Sequence, residues 1–200
     1  MIDQEKYIIA FRKKLESYLP ISQESWMLLE SILKFQTLER NEFLVRNGDY
    51  SKNLHFVCEG ALRAYFTDSA GNVYTKNLFL ENDLAGSVVS SILERPSEFT
   101  LEALEYTVLI SFSYKKFRQL ANQCIDLKDF YIAYLERNWV IEKEPIEVSL
   151  AIENATERYL KLRLAHPNID KRISQQHIAS HLGVTPTQLS RIRKSLKDNS

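Results

Sequence analysis

The side chains best suited to chemistry lie near the C-terminus, in the segment RISQQHIASHLGVTPTQLSRIRKS of residues 172–195. Its polar side chains could bind base edges and phosphate oxygens if a helix carried them into the major groove of DNA. Arg191 is the foremost candidate, because a two-point contact of arginine with guanine O6 and N7 is the commonest specific contact and contributes about 1–3 kcal/mol of discrimination. The predicted DNA-binding residues are Thr185, Thr187, Gln188, Ser190, Arg191, Arg193 and Lys194.

The apolar and turn residues of this segment are spaced as a helix-turn-helix requires. Ile178 and Leu182 mark one face of a first short helix, and Leu189 and Ile192 mark the packing face of a second. Gly183 stands between them, where the first helix must stop and the chain must enter a conformation that favours glycine. A helical hairpin whose basic side is merely solvated is the alternative interpretation.

The second helix has its own start signal. Thr185 suits the N-cap position, Pro186 suits the first helical position, and Gln188 completes a T-x-x-Q capping box. A Gln188 side chain folded back onto the cap could not also reach adenine. Gln188 is therefore a weaker candidate for base recognition than Arg191. Arg193, Lys194 and Lys197 are expected to hold phosphates.

Length and composition limit the class of protein. The chain has 200 residues, of which 44% are hydrophobic, which is enough for one large or two small folded domains. No apolar run approaches the roughly 18 residues of a membrane span, and no signal-peptide pattern opens the chain, so a cytoplasmic protein is expected, without a membrane partner. Cys58 and Cys124 are too few for a disulfide framework or a four-cysteine metal site, and no metal or cofactor is expected.

The formal net charge of zero conceals an asymmetry. Residues 155–200 contain nine of the 26 Lys and Arg but three of the 26 Asp and Glu, so this part carries +6 and residues 1–154 carry −6. The C-terminal part is therefore expected to attract double-stranded DNA, and the remainder is not.

The rest of the chain reads as helices, then strands, then helices. Residues 7–19 have the pattern of an amphipathic helix, and Ser22 suits the cap of a second helix that ends at about Leu33. Short runs rich in Val, Phe, Tyr and Thr, separated by turn signals, predict an antiparallel β-roll of the jelly-roll type over residues 35–112. The predicted fold class is therefore α+β.

Apolar residues spaced alternately four and three apart mark a long helix from about residue 126. A second apolar face includes Ile132, Leu135 and Trp139, so the helix needs two partners. The economical assignment is the roll of its own subunit and the same helix of a twin subunit, with Pro145 interrupting the helix. A core helix in a monomer is the alternative. The predicted dimer-interface residues are Tyr131, Tyr134, Asn138, which could fix the register, Ile141 and Val148.

These patterns divide the chain into three parts. Residues 1–125 hold the N-terminal helices and the roll, residues 126–154 form the dimerisation and linker helix, and residues 155–200 form the helix-turn-helix domain.

This order of elements resembles that of the Crp/Fnr transcriptional regulators. The segments NGDYSKNLHFVCEGALRAYF (47–66) and LENDLAGSVVSSILERPSEFTLEALE (80–105) resemble the cyclic-nucleotide-binding-type domain of that family. The resemblance implies a homodimer that binds paired DNA half-sites, recruits or blocks RNA polymerase, and senses a small-molecule effector in its roll.

The chain departs from the family pattern where a cyclic nucleotide would bind. The resemblance implies that a Gly-Glu pair holds the ribose and that a later Arg, followed by Ser or Thr, pairs with the cyclic phosphate. Here the matching positions are Gly86-Ser87 and Phe99-Thr100, which form the candidate effector pocket. Because Phe99 supplies no cation, an effector other than cyclic AMP is expected. The four-cysteine pattern of oxygen-sensing members is also missing, and with five residues after Ser195 the wing hairpin is expected to be absent.

Two other functions compete with this interpretation. The roll could be a degenerate scaffold in a regulator that needs no effector. A cupin-like enzyme would need two or three histidines and a carboxylate inside the roll, but His55 is the only histidine there, so no enzymatic activity is expected. His177 and His181 lie four apart without a third metal ligand nearby, and they are expected to flank the DNA backbone.

Overall fold

The computed structural model describes residues 3–198, apart from the side chains of residues 146, 150 and 151. Residues 1–2 of the first predicted domain and residues 199–200 of the last therefore lie outside the described residues. The helices are α1 (Gln4–Glu16), α2 (Gln23–Glu30), α3 (Val88–Leu93), α4 (Tyr114–Gln123), α5 (Ile125–Glu136), α6 (Lys143–Ile152), α7 (Ala155–Ala165), α8 (Ile169–Arg172), α9 (Gln175–His181) and α10 (Pro186–Asp198). The strands are β1 (Lys34–Leu38), β2 (Phe43–Val45), β3 (Asn53–Glu59), β4 (Leu62–Thr67), β5 (Val73–Phe79), β6 (Leu84–Ala85), β7 (Thr100–Ala103) and β8 (Thr107–Ser113).

Two antiparallel sheets form the predicted roll. One has the strand order β1-β8-β3-β6 and the other β2-β7-β4-β5. Non-consecutive strands are neighbours in both sheets, so the chain crosses repeatedly between them. This arrangement confirms the predicted α+β fold with an antiparallel β-roll.

The N-terminal helices cover one side of the roll. α2 begins where predicted, since Ser22 accepts a hydrogen bond from the amide of Ser25 at 3.2 Å. Phe11 of α1 is fully buried, and its ring centroid lies 5.0 Å from that of Phe56 in β3. Buried side chains of α1, α2, α4 and α5 belong to one hydrophobic core together with Phe56.

The long helix is interrupted upstream of Pro145. Between α5 and α6, residues Arg137–Ile141 form a π-helical turn, and the amide of Glu142 donates to the carbonyl of Arg137 at 2.8 Å. Pro145 is then the third residue of α6, where an amide would have no intrahelical partner in any case. The predicted interruption is confirmed, and the α-helix begins again at Lys143.

The structure divides the predicted dimer seam into a buried and an exposed half. Tyr131 is buried and Tyr134 is partly buried against the core of their own subunit. Asn138 donates a hydrogen bond to the carbonyl of Tyr134 at 2.8 Å and another to the hydroxyl of Tyr18 at 3.2 Å. These three residues thus contact their own subunit, and their place in a dimer interface stays a prediction. Ile141 and Val148 remain 65% and 50% exposed.

The described helices include none that is long and apolar enough to cross a lipid bilayer.

His55 gives the roll a pH-dependent stability. Its ring is buried in β3 with Nδ1 2.7 Å from the hydroxyl of Ser111, and burial lowers the pKa of His55 to about 4. The folded state therefore binds fewer protons than the unfolded chain, in which histidine has a pKa of about 6.5. Below that pH, we expect this group to lower the free energy of unfolding progressively, by about 3 kcal/mol in total at pH 4.

The measurement is urea unfolding followed by circular dichroism at several pH values between 4 and 7.5, on the wild-type chain and on His55→Gln. The variant should show a shallower loss of stability than the wild type below pH 6.5. Parallel pH profiles for the two proteins would show that His55 does not carry the effect.

Candidate nucleic-acid interface

The turn between α9 and α10 has the geometry that Gly183 was expected to supply. Gly183 has φ +69°, in the left-handed region. Its amide donates to the carbonyl of Ser180 at 3.2 Å, and the amide of Val184 donates to the carbonyl of Ala179 at 3.0 Å. These two hydrogen bonds form a Schellman motif, which ends α9 and turns the chain.

The predicted capping box starts α10. The hydroxyl of Thr185 accepts a hydrogen bond from the amide of Gln188 at 3.2 Å, and the side-chain oxygen of Gln188 accepts from the amide of Thr185 at 2.9 Å. The Gln188 side chain is therefore folded back onto the cap, so contact with a base would require it to leave this position.

The two helices share a small apolar core. Ile178 and Ala179 of α9 and Leu189 of α10 are fully buried together, and Ile192 is partly buried beside them. The small side chain of Ala179 allows this close approach. The core fixes α10 so that the opposite side of this helix faces away from the protein.

That opposite side carries most of the predicted DNA-binding residues. Arg191 and Lys194 are exposed, and neither forms an ion pair or a side-chain hydrogen bond with another residue of the described range 3–198. Their charges are therefore available to a ligand. The remaining exposed members are Thr185, Thr187, Gln188 and Ser190.

Arg193 lies on the inner side of α10, which differs from its predicted role. Its Nε donates to the hydroxyl of Tyr159 at 3.0 Å, and its guanidinium pairs with Asp170. The Tyr159 hydroxyl also donates to Asp170 at 2.7 Å. The guanidinium therefore joins α7, α8 and α10 inside the domain, and its phosphate contact stays a prediction. The heptad-like spacing between Leu189, Ile192 and Leu196 could have indicated this inner position.

The candidate effector pocket brings its predicted residues together at the start of α3. A Cβ atom at Gly86 would lie 2.9 Å from Cδ2 of Leu54, so a side chain there would require Leu54 to shift. Ser87 is buried, with its hydroxyl 2.9 Å from that of Ser97. The hydroxyl of Thr100 accepts from the amide of Asn47 at 3.1 Å. The side-chain hydroxyls of Ser87 and Thr100 thus have hydrogen-bond partners within the protein.

Phe99 has a cation beside it, although it supplies none. The ammonium group of Lys76 in β5 lies 4.5 Å from the centroid of the Phe99 ring. Desolvation by burial lowers the pKa of Lys76, and the neighbouring carboxylate of Glu98 opposes this effect. The neighbour of Phe99 could not be identified from sequence, because Lys76 lies on a different strand.

Of the two histidines of α9, His177 contacts the roll and His181 is mostly buried. Nδ1 of His177 lies 2.9 Å from Nη1 of Arg63 in β4, and the histidine must accept this bond because arginine can only donate. Nδ1 of His181 has no hydrogen-bond partner among the described residues. Desolvation lowers the pKa of both residues, and Arg63 lowers that of His177 further. Their predicted position along the DNA backbone is therefore corrected.

Metal binding has no support from the described side chains. Within residues 3–198, no group of three or more His, Cys, Asp or Glu side chains could hold a metal ion.

Sequence reasoning missed an interface between the helix-turn-helix and the roll. Arg172 of α8 donates to Glu81 through Nη1 at 2.9 Å and Nη2 at 2.6 Å, and to Glu105 through Nε at 3.1 Å. Ser180 of α9 accepts from the amide of Thr75 in β5 at 2.8 Å. We call these contacts, together with the Arg63–His177 bond, the roll junction.

Comparison with known proteins agrees with this architecture. Residues 35–124 match the cyclic nucleotide-binding domain family. The transcriptional activator protein Anr of Pseudomonas protegens is 21% identical over 192 residues, which cover 90% of this chain and 78% of Anr.

Solved structures share the fold at low sequence identity. FixK2 from Bradyrhizobium japonicum superposes with a TM-score of 0.66 and 18% identity, over 84% of this chain and 86% of FixK2. The catabolite activator protein of Thermus thermophilus has a TM-score of 0.56 and 20% identity, over 93% of this chain and 87% of its own. The chain thus contains a domain of the cyclic nucleotide-binding type and shares its fold with FixK2 and the catabolite activator protein, in agreement with its resemblance to the Crp/Fnr transcriptional regulators.

Proposed function

We propose that this protein is a transcriptional regulator of the Crp/Fnr type that acts as a homodimer and reads DNA half-sites with α10. The observation that carries the proposal is the exposed, unpaired side of a helix that has its own cap and packs as the second helix of a helix-turn-helix. In this proposal Arg191 contacts guanine, Thr187 and Ser190 contact neighbouring bases, and Lys194 and Lys197 bind phosphates. Arg193 holds α10 in place from inside the domain.

The exposed part of the long helix supports a dimer. Trp139, Val140 and Ile141 in the π-helical turn and Val148 and Ile152 in α6 are each about half or more exposed to solvent. A run of large apolar side chains along one helix is typical of an interface, and a two-fold axis through it would let each copy cover the other. Such a dimer would place two α10 helices to read paired half-sites in successive major grooves.

We also propose that the chain has three parts. Residues 1–125 form the N-terminal helices and the roll, residues 126–154 form a linking and dimerising helix, and residues 155–200 form a DNA-binding domain. The name of Anr as a transcriptional activator supports a role in recruiting RNA polymerase.

For the effector, we propose that the roll does not respond to cyclic AMP. A cyclic phosphate must find cations or several N–H donors to replace its hydration shell. At the candidate pocket, the hydroxyls of Ser87, Ser97 and Thr100 already have protein partners, and Phe99 is apolar. Another small molecule could use Lys76. The internal satisfaction of the serines favours a second candidate, a regulator that binds DNA without an effector.

Arg191→Ala tests DNA recognition. We expect the affinity for a duplex selected from a random pool to fall by about ten-fold or more, because a two-point arginine contact with guanine contributes about 1–3 kcal/mol. Fluorescence anisotropy at fixed salt measures the affinity, and repeated selection measures the sequence preference. Lys115→Ala removes a cation from an exposed position on α4 and should change neither quantity. Unchanged affinity and preference in Arg191→Ala would rule out α10 as the recognition helix.

Ile141→Asp and Val148→Asp test the dimer. Each substitution places a charge in the proposed interface, where it would be buried without a partner. We therefore expect each variant to be a folded monomer under conditions in which the wild type is a dimer. Sedimentation equilibrium gives the mass, and circular dichroism checks the fold. Ile9→Asp, at a position of α1 that is also exposed, is the matched control and should remain dimeric. A monomeric wild-type protein, or dimeric variants, would contradict the proposed interface.

Isothermal titration calorimetry with cyclic AMP and cyclic GMP tests the effector proposal. We expect no binding at micromolar concentrations, since Phe99 cannot pair with the phosphate. Binding in the micromolar range would show that other groups, such as Lys76, replace the missing arginine.

A further inference from the structure

We propose that Arg172 and His177 are positioning residues that hold the helix-turn-helix on the roll of its own subunit, in the arrangement that presents α10 to DNA, and that acid releases this hold. The consequence for DNA rests on the proposed function above. The docking itself can be measured without DNA.

Arg172 is the centre of the polar part of the roll junction. Its guanidinium contacts Glu81, Glu105 and the carbonyl of Gly60, the last at 3.2 Å, so three separate loops of the roll converge on one side chain. The side chain is 29% exposed, and the hydrogen bonds that it donates to both glutamates raise the pKa of Arg172 above that of a free guanidinium. A bidentate, partly desolvated ion pair of this kind fixes orientation more strictly than a solvated one.

An apolar cluster continues the junction beneath these charges. Ala61, Leu80 and Leu104 of the roll are buried in the same cluster as Ile169 and Ile173, which flank Arg172. The roll junction therefore combines apolar burial with ion pairs, and its polar part specifies one orientation of the domain.

The edge of the roll sheet provides the third set of contacts. Besides accepting from Thr75, the hydroxyl of Ser180 donates to the carbonyl of Val73 at 3.2 Å. Strand β5 is the last strand of its sheet, and α9 covers part of this otherwise open edge.

The connection from the long helix leaves the orientation of the domain to the roll junction. Glu153 and Asn154 are extended, with ψ 140° and 168°, and Asn154 starts α7 with a capping box of its own. Helical hydrogen bonding therefore does not continue from α6 into α7. In the docked arrangement Arg191 and Lys194 are exposed, so docking on the roll leaves the reading side of α10 open.

The bond between Arg63 and His177 makes the roll junction sensitive to pH. Nδ1 of His177 can accept from Arg63 only when it is unprotonated, and a protonated ring would place two cations in contact. Arg40 adds repulsion from the roll, whereas Glu102 attracts, but Glu102 is already paired with Arg63 at 2.7 Å. On the same helix, His181 is mostly buried, and burial together with the nearby His166 lowers the pKa of His181.

The sign of the pH effect follows from these contacts. Burial and the charge of Arg63 lower the pKa of His177 in the docked state, so the docked state binds fewer protons than the released state. Docking is therefore strongest above pH of about 6.5, the ordinary value for histidine, and weakens as the pH falls below it.

Hydrogen–deuterium exchange of the full chain, without DNA, tests the docking. In Arg172→Ala we expect the amides of Val73–Phe79 to exchange at least five-fold faster than in the wild type, because the cover of β5 is lost. Arg172→Lys should restore part of the protection. Lys171→Ala removes the neighbouring exposed cation of α8 and should match the wild type.

After correction for intrinsic rates, the wild type at pH 5.5 should lose protection of the same amides, and His177→Gln should lose less.

DNA affinity of the same variants tests the presenting role. Arg172→Ala should bind a selected duplex at least five-fold more weakly, with the fold checked by thermal melting of the roll. Unchanged exchange in Arg172→Ala would overturn the docking. Faster exchange with equal or tighter DNA binding would overturn the presenting role and make the roll junction inhibitory. A wild type that binds no DNA sequence would overturn both the proposed function and the presenting role, while the exchange data would still decide the docking.

Discussion

The contact of the Arg172 guanidinium with Glu81 and Glu105 joins the helix-turn-helix domain to the roll. Arg172 lies on the shortest helix of the chain, between the connecting helix α7 and the helix-turn-helix, and its partners lie in loops of the roll. Because apolar packing is non-directional, the cluster around Ile169 and Ile173 would tolerate several orientations of the domain. The planar, bidentate ion pair selects one of them.

Charge in the C-terminal part is used in two ways, and these are separated by the sides of single helices. On α10, Arg193 points inward and joins Tyr159 and Asp170, while Arg191, two residues earlier, is exposed. On α8, Arg172 pairs with the roll, while Lys171 is exposed. The positive charge of residues 155–200 therefore overstates what remains available to a polyanion, since two arginines stabilise the domain and its docking.

Much of the fold was accessible from the sequence because the signals were local. The Schellman turn at Gly183, the capping box of Thr185 and Gln188, and the helix interruption near Pro145 each depend on residues within one turn of one another. The dimer seam, by contrast, stays a prediction. Periodicity identifies an apolar face, but it does not show whether the subunit itself or a second copy covers that face, and Tyr131 is covered within its own subunit.

The sequence by itself determined the helix-turn-helix, the exposed polar side of its second helix and the antiparallel roll, since hydrophobic period, capping and turn chemistry act over a few neighbouring residues. Only the tertiary structure decided which charged residues face inward and how the domain sits on the roll. Arg63 and His177 are 114 residues apart in the chain, and Arg172 and Glu81 are 91 apart. No local pattern encodes such pairs, because they form only when the roll and the C-terminal helices have packed.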